Sequence, residues 1–499
     1  MLMSLDGNGQ QYPQPGVYPP TSAPRRRTSK PTPAQSTPPP PLPALNYPNV
    51  AQPLSDSGYP VLGAPVTQGT PPTDADLVAK SVPPLRGSYD TSVVPGGPLS
   101  QRVKTELELA ALEGSYSGWV GGTGFARYRS GTSGLDRLTD LEVPFEVSAV
   151  LGKSVRLTVV PKAVFLNSGT IDSAFFQTAT GTIPILGTLP ANALTAPTQQ
   201  FASGVGGELQ LTTANIGLAA GYTPFGFLVS NITGRAQWRP MGGHFTFFGD
   251  RDSVKDTQLS YAGLRDPGTI SPIFAGNIWG GVISTGGGVR VDMGNEHAGF
   301  YVSGDGDVLN GYHVLDNRKF EGTMGSYFRV KNWPGYGSLN MGVGFFGMHY
   351  ENNQRGMTYG QGGYFSPNVY FLASVPVTYN GYYKTNFHYT INGSVGVQTF
   401  QEDSAPYYPL DRPLQTGSGN AFYPQNSDTG LNYAVNAEGA YHVAEHWYVG
   451  GYLLANNTNN YNTVSGGFFV RYTFKPQYPT ESYATGLFPT TGFRPLRVP

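Results

Sequence analysis

The chain has 499 residues, a formal net charge of −1, 67 Gly, 43 Pro, 32 Tyr, 27 Phe and no Cys. Charged residues make up 13%, about half the ordinary share of roughly 25%. The even balance of signs excludes a nucleic-acid binder, which needs a basic excess against phosphates. Without Cys there are no disulfides, thiolate metal sites or thiol catalysis, and no run of 18 apolar residues supplies a transmembrane helix.

Residues 1–98 read as a disordered, polyproline-like segment. Of the 43 prolines, 22 fall in the first hundred residues, densest over Pro31–Pro43. Such a stretch lacks backbone donors and too little apolar surface is present to offset its ordering entropy. Arg25, Arg26 and Arg27 are a solvated charge run on this reading. The opening MLMSLDGNGQ has neither the basic start nor the apolar middle of a signal peptide. The expectation is a fragment of a longer exported protein, or a misassigned start. Over 99–114 the spacing of Leu99, Val103, Leu107, Ala110 and Ala111, with Ser100 as cap, predicts one amphipathic helix.

From about 115 the period is two. In 383–399, Tyr383, Phe387, Tyr389, Ile391, Val395 and Val397 alternate with Lys384, Asn386, His388, Asn392, Ser394 and Gln398. In 431–443, Leu431, Tyr433, Val435, Tyr441 and Val443 alternate with Asn432, Asn436, Glu438 and His442. Val155, Leu157 and Val159, and then Phe468, Val470, Tyr472 and Phe474, repeat the pattern. Successive strand side chains point to opposite faces, so each strand has one greasy and one polar face. A soluble sandwich alternates in the same way, and length decides between them. Sandwich strands average about 5–6 residues, whereas membrane-spanning strands need roughly 9–11. Tight turns at 334–335 and 444–446 alternate with long polar stretches such as 401–430, which is the asymmetry of outer-membrane barrels.

The fold class expected is therefore all-β: a transmembrane antiparallel β-barrel over 115–477, with a tail over 478–499. At roughly 20–25 residues per strand and connection the barrel has about 14–18 strands, sixteen being the even number favoured. A barrel of that size leaves an aqueous channel.

Five strings in this region carry a family resemblance. They are GLDRLTDLEVPFE (134–146), TPFGF (223–227), RDSVKDTQLSYAGLRDPGT (251–269) with Trp279-Gly280-Gly281-Val282, NGYHVLDNRKFEGTMGSYF (310–328) and GMTYGQGGYFSPNVYFLASVPV (356–377). Together they resemble, in order, the C-terminal outer-membrane barrel of cellulose synthase operon protein C, the cellulose exporter of Gram-negative bacteria. The resemblance implies a bacterial outer-membrane channel for cellulose and a helix at 99–114 that leads into it from the periplasm. It implies as partners the cellulose chain, outer-membrane lipid, a periplasmic tetratricopeptide-repeat module (in this or a separate chain) and an inner-membrane cellulose synthase complex. Residues 1–98 hold no helical repeat of that kind. Low charge with many Tyr and Asn suits an uncharged glucan, whereas a charged polymer favours a lumen of one opposing sign.

The candidate lumen or glucan-contacting residues are Arg251, Asp252, Asp256, Tyr261, Arg265, Asp266, Trp279, Tyr364, Phe365 and Ser366. The charged stretch from Arg251 to Asp256, with Arg265 and Asp266, reads equally as a loop folded into the lumen or as ion pairs holding a loop to the wall. Tyr364, Phe365, Trp279 and Tyr261 are stacking candidates; the bland alternative is turn or girdle aromatics. Asp305 and Asp307 in SGDGDVLNG share a face if they lie on a strand, but a Gly-rich loop is the simpler reading. His442 and His446 lie in a strand–turn–strand pattern where they do not converge on a metal. No catalytic role, cofactor, metal or nucleic acid is expected. The rival functions are a general porin or another polysaccharide channel, and behind them a barrel-embedded hydrolase.

Overall fold

The computed structural model describes residues 117–475, with short breaks at 153–154, 172–183, 191–192, 194–197, 214, 241–243, 269–271, 296, 334–335, 384–386 and 459–460. The Pro-rich segment, the helix expected over 99–114 and the tail expected over 478–499 lie outside the described residues. Sixteen strands form the wall. In chain order they are β1 (Trp119–Arg129), β2 (Leu138–Leu151), β3 (Val155–Ile171), β4 (Thr198–Thr212), β5 (Ile216–Tyr222), β6 (Ile232–Trp238), β7 (Phe245–Ser253) and β8 (Ile278–Gly294). They continue as β9 (Ala298–Tyr312), β10 (Asn317–Trp333), β11 (Gly337–Tyr350), β12 (Val369–Tyr383), β13 (Phe387–Glu402), β14 (Asn426–Ala444), β15 (Trp447–Thr458) and β16 (Tyr461–Thr473). Each pairs antiparallel with its neighbours in sequence. β16 pairs back onto β1 from Trp119↔Thr473 to Arg129↔Thr463, so the sheet closes. Closure leaves the wall without a free edge, as a hydrocarbon surround demands.

The burial pattern is inverted relative to a protein in water. On β2, Leu141, Val143, Phe145 and Val147 are exposed while Asp140, Glu142, Glu146 and Ser148 are buried. On β13, Ile391, Val395 and Val397 are exposed and Ser394 and Gln398 buried; on β14, Leu431, Tyr433 and Val435 are exposed and Asn432 buried. A contiguous apolar belt of this extent is stable only against lipid. The polar parity faces inward.

Two local expectations change. The alternation over 383–399 belongs to two strands, since β12 ends at Tyr383 and β13 begins at Phe387. Those positions are four apart, so parity is kept and the break leaves no mark on the period. SGDGDVLNG is wall and not loop: Asp305 and Asp307 lie on β9, paired with Glu321 and Lys319 of β10.

The two rims differ. At one, the strands connect through 152–154, 213–215, 295–297, 334–336, 384–386 and 445–446. Its outer face carries aromatic pairs such as Trp447 with Tyr472 (ring centroids 5.1 Å apart), Trp333 with Tyr379 (6.0 Å) and Trp238 with Phe247 (5.3 Å). At the other rim the connections include 172–197, 254–277, 351–368 and 403–425. Short periplasmic turns, long extracellular loops and an interfacial aromatic girdle orient the barrel.

Replacing an outward residue by a charge tests the lipid contact. Val395→Arg should lower barrel stability by about 2–4 kcal/mol if the site lies near the bilayer midplane, read as a lower urea midpoint in vesicles. Val395→Leu should leave the midpoint near wild type. Equal midpoints for all three proteins would take this face out of the membrane.

Candidate functional site

Described parts of the long loops pack inside the extracellular half of the cylinder. Segment 254–277 contains α1 (Gln258–Ala262), capped by reciprocal Thr257 and Ser260 hydrogen bonds, and every α1 residue is buried. This segment and 351–368 take their contacts from widely separated strands. Arg127 Nη2 and Arg129 Nη1 of β1 donate to the carbonyl oxygens of Lys255 (2.8 Å) and Asp256 (2.9 Å). Asn317 of β10 donates to Tyr364 Oη (3.1 Å), and Phe365 packs edge-on against Phe400 of β13 (5.5 Å). Segments 254–277 and 351–368, which between them meet inward side chains from β1, β10 and β13, lie inside the barrel.

The loops are also stitched to one another. Asp266 accepts from Thr188 N and Oγ1, both at 2.8 Å, and from Gly268 N at 2.9 Å. Gly187 N donates to Met357 O (2.9 Å), which ties 184–190 to 351–368. Thr257 Oγ1 donates to Gly363 O (2.8 Å), and Phe365 N donates to Asp256 Oδ2 (3.1 Å). Gln361 Nε2 donates to Pro406 O (2.7 Å), adding the 403–425 segment. Burial pushes the Asp256 carboxyl above the usual range, against the pull of Arg129 and the Phe365 N–H. It does the same to Asp266, against its Thr188 and Gly268 donors. The result is one interlocked plug around a common apolar cluster that includes Leu186, Leu259, Trp279, Tyr364 and Tyr408.

The Trp-Gly-Gly-Val string builds the seat of this plug. Gly280 and Gly281 have φ of 106° and 61°, and the β8–β9 register shifts there. A Cβ on Gly280 would stand 2.3 Å from Leu259 O, and one on Gly281 2.4 Å from the Val229 side chain. Only glycine admits both the backbone and the contact. Val229 N also donates to Ala262 O (3.0 Å), so the TPFGF loop clamps α1.

The residues singled out in the sequence divide into plug and wall. Tyr261, Trp279, Tyr364, Phe365, Ser366, Asp256 and Asp266 are all buried in the plug or its seat. Ser366 Oγ accepts from Gln354 N at 2.6 Å, and Arg265 is exposed and donates to Gly276 O (3.2 Å). Asp252 and Arg251 end wall strand β7, a departure from the expected loop. Arg251 shares the outward parity of Phe245 and Phe247 and donates to Thr285 Oγ1 (2.8 Å). Strand alternation therefore puts Arg251 on the outer face. Asp252 turns inward beside Asp250, Asp307 and Lys319, around a small cavity below the plug.

The inner wall carries charge pairs from β1 round to β10, with two groups of them on opposite sides. On β1–β3, Arg127 pairs with Asp140 (3.2 Å) and Lys162 with Glu142 (3.0 Å), and Lys255 of the plug reaches Glu142 at 3.9 Å. Across the barrel, Lys319 contacts Asp307 (2.7 Å), Glu321 (3.0 Å) and Asp305 (4.0 Å). Such ions, buried but paired, hold the wall and plug in register.

Between these groups the inner wall of β11–β15 is mostly uncharged. Thr378 Oγ1 donates to Asn392 Oδ1 (2.9 Å) and Thr390 Oγ1 to Asn380 Oδ1 (3.0 Å), in the half nearer the short turns. An inward aromatic group adjoins it: Phe125 and Tyr452 at 5.9 Å, with Tyr448 and Phe469 nearer the periplasmic rim. Sequence reasoning missed these, because an inward Tyr or Phe interrupts the polar parity and reads as noise. The signal available was the small neighbours Gly450 and Gly467, which leave room for the rings.

Residues 136–475 match the family described as cellulose synthase operon protein C C-terminus. Cellulose synthase operon protein C of Pseudomonas fluorescens (strain SBW25) is 33% identical over 358 residues, covering 70% of this chain and 26% of that protein. Cellulose synthase 1 operon protein C of Komagataeibacter xylinus is 30% identical over 451 residues, covering 81% and 31% respectively. The chain thus spans well under half the length of these relatives. Among solved structures, OprB of Pseudomonas putida overlaps with a TM-score of 0.33 at 10% identity, over 74% of this chain and 96% of that one. The family match and the closed, lipid-facing wall place the protein in the bacterial outer membrane. The chain belongs to the cellulose synthase operon protein C C-terminus family.

Proposed function

We propose that this barrel conducts an uncharged β-1,4-glucan from the periplasm to the cell exterior, and that it does so as a passive conduit without catalysis. The observation that carries the reading is a closed sixteen-strand wall, apolar outside and polar inside, in a chain of this family. A neutral glucan offers hydroxyl edges and apolar sugar faces. Amides, hydroxyls and aromatic rings meet both with many weak contacts, and conduction needs contacts weak enough to leave. The expected partners are the inner-membrane synthase complex that lengthens the chain, a periplasmic tetratricopeptide-repeat module and the surrounding lipid. Thrust comes from chain extension at the inner membrane.

On this reading the plug is the gate, and Tyr364, Phe365 and Trp279 meet the glucan only once it shifts. A general porin needs no such plug. Loss of the chain should trap acid-insoluble glucan in the periplasm while synthase activity in membranes persists. Undiminished extracellular cellulose in the deletion strain would remove the export role.

The gate has its own test. Asp266→Ala removes both Thr188 hydrogen bonds, each worth about 1 kcal/mol, and should raise the frequency of channel openings in planar bilayers several-fold. Gly281→Ala should act in the same direction by displacing Val229. Closed-state conductance and opening frequency unchanged in both variants would move the barrier away from the plug.

A further inference from the structure

Resting on the export reading, we propose that the inner wall from β11 round to β1 carries a glucan-contact strip, a band of amides and hydroxyls with one carboxylate, Glu438, that ends in the aromatic pair Phe125 and Tyr452. It lies in the half of the barrel nearer the short turns, below the plug. Strand register defines it. Asn340 of β11 is level with Thr378, Asn392 and Asn436 of the next three strands. One inward step toward the short-turn rim, the row runs from Asn380 and Thr390 through Glu438 to Tyr452, Gly467 and Phe125. Along β13 the inward positions Thr390, Asn392 and Ser394 recur at every second residue, about 6.8 Å apart. A chain moving along the axis therefore meets a hydroxyl-bonding group at each inward step.

Two observations point to a ligand. Asn340 is 4% exposed, yet among the described residues its Oδ1 has no hydrogen-bond partner, and Asn436 Oδ1 is likewise buried and without one there. Buried amide oxygens normally find donors, and the inward parity of these two directs them to the bore. Glucan hydroxyls both donate and accept, which suits a strip presenting both functions. The second observation is how the rings lie. A Cβ on Gly467 would stand 2.9 Å from the Tyr452 ring, and one on Gly450 2.3 Å from the Phe469 ring. The rings therefore lie over glycine, against the wall. Phe125 and Tyr452, both half-buried, flank Gly467 in register with ring centroids 5.9 Å apart and planes 19° from parallel. An aromatic pair beside hydrogen-bonding amides and hydroxyls suits a straight, β-linked sugar ribbon whose faces and edges run along the axis, whereas an α-linked glucan turns its sugar faces along a helix and meets such a straight strip at fewer points.

The probe is cellohexaose, titrated calorimetrically into the full chain in lipid nanodiscs, with maltohexaose as comparison. Phe125→Ala with Tyr452→Ala, and separately Asn392→Leu with Asn436→Leu, should each weaken cellohexaose binding by about tenfold, the scale of one or two lost contacts. Tyr452→Phe keeps the ring and should bind near wild type. The heat-shifted electrophoretic band of a folded barrel checks each variant, and Tyr452→Trp replaces any alanine variant that lacks it: there the ring is retained and affinity should be kept. Equal affinity in wild type and folded double variants overturns the strip, as does equal binding of maltohexaose. No binding by wild type while cells secrete glucan normally also overturns it and leaves the export role standing. Cellohexaose binding intact, with secretion independent of the chain, instead removes export and keeps the strip.

Discussion

Everything in this molecule depends on the pairing of β16 with β1. From Trp119↔Thr473 to Arg129↔Thr463 the last strand completes the first, and with that the wall has no unpaired backbone to present to hydrocarbon. In lipid each open N–H or C=O costs several kcal/mol, so a sheet that stopped one strand short would not be a slightly weaker barrel but an unstable one. Closure also assigns the two faces. Once a cylinder exists, strand parity makes one side of every residue lipid and the other side bore, and the charge-poor composition becomes intelligible. Ionic groups such as Asp140, Glu142 and Lys319 are affordable only on the inner parity, where each finds a partner.

The same inner charges fasten the plug. Arg127 reaches both Asp140 on the neighbouring strand and the Lys255 carbonyl in the loop. Wall pairing and plug docking are thus one network that shares the Arg127 guanidinium. The plug in turn is cooperative, since 184–190, 254–277, 351–368 and 403–425 bond to one another. A single loop cannot leave without orphaning buried donors in the others, each at about 1–3 kcal/mol. That favours few discrete states over gradual fraying.

The wall was legible in the sequence because its signal is local. Period-two alternation in Ile391–Val397 and Leu431–Val435, together with strand length, is enough to specify barrel and approximate strand number. What stayed hidden depends on through-space packing. The gap between Tyr383 and Phe387 spans an even number of steps, so two strands read as one. Tyr364 and Trp279 stand in recognisable strings, but nothing local says that they turn into a plug and away from solvent. Arg251 and Asp252 sit side by side in a charged stretch, and only the strand parity of β7 sends one outward and the other in. The Gly-rich look of SGDGDVLNG suggested a loop; on β9 its glycines are small wall positions, Gly306 standing between Asp305 and Asp307. For Phe125 and Tyr452 the defining feature is a glycine on the strand between them, a relation among β15, β16 and β1 that no linear window contains.

On the proposed export function, the contrast between the plug and the wall below it has a mechanical consequence. Below the plug, Thr378 with Asn392 and Thr390 with Asn380 are single neutral hydrogen bonds, each easily exchanged for a bond to water or to a passing hydroxyl. Exchange of that kind is nearly neutral in free energy, so a chain advancing along this wall meets little net barrier at any one step. Friction is low because no contact is deep. The plug is the opposite: its hydrogen bonds are buried and mutually dependent, so it resists until several give way together. A polymer pushed from the periplasmic side therefore accumulates load where sliding is easy and spends it where opening is cooperative. On the proposed export function, such an arrangement would keep the membrane sealed against small solutes between chains and let the growing polymer act as the opening force.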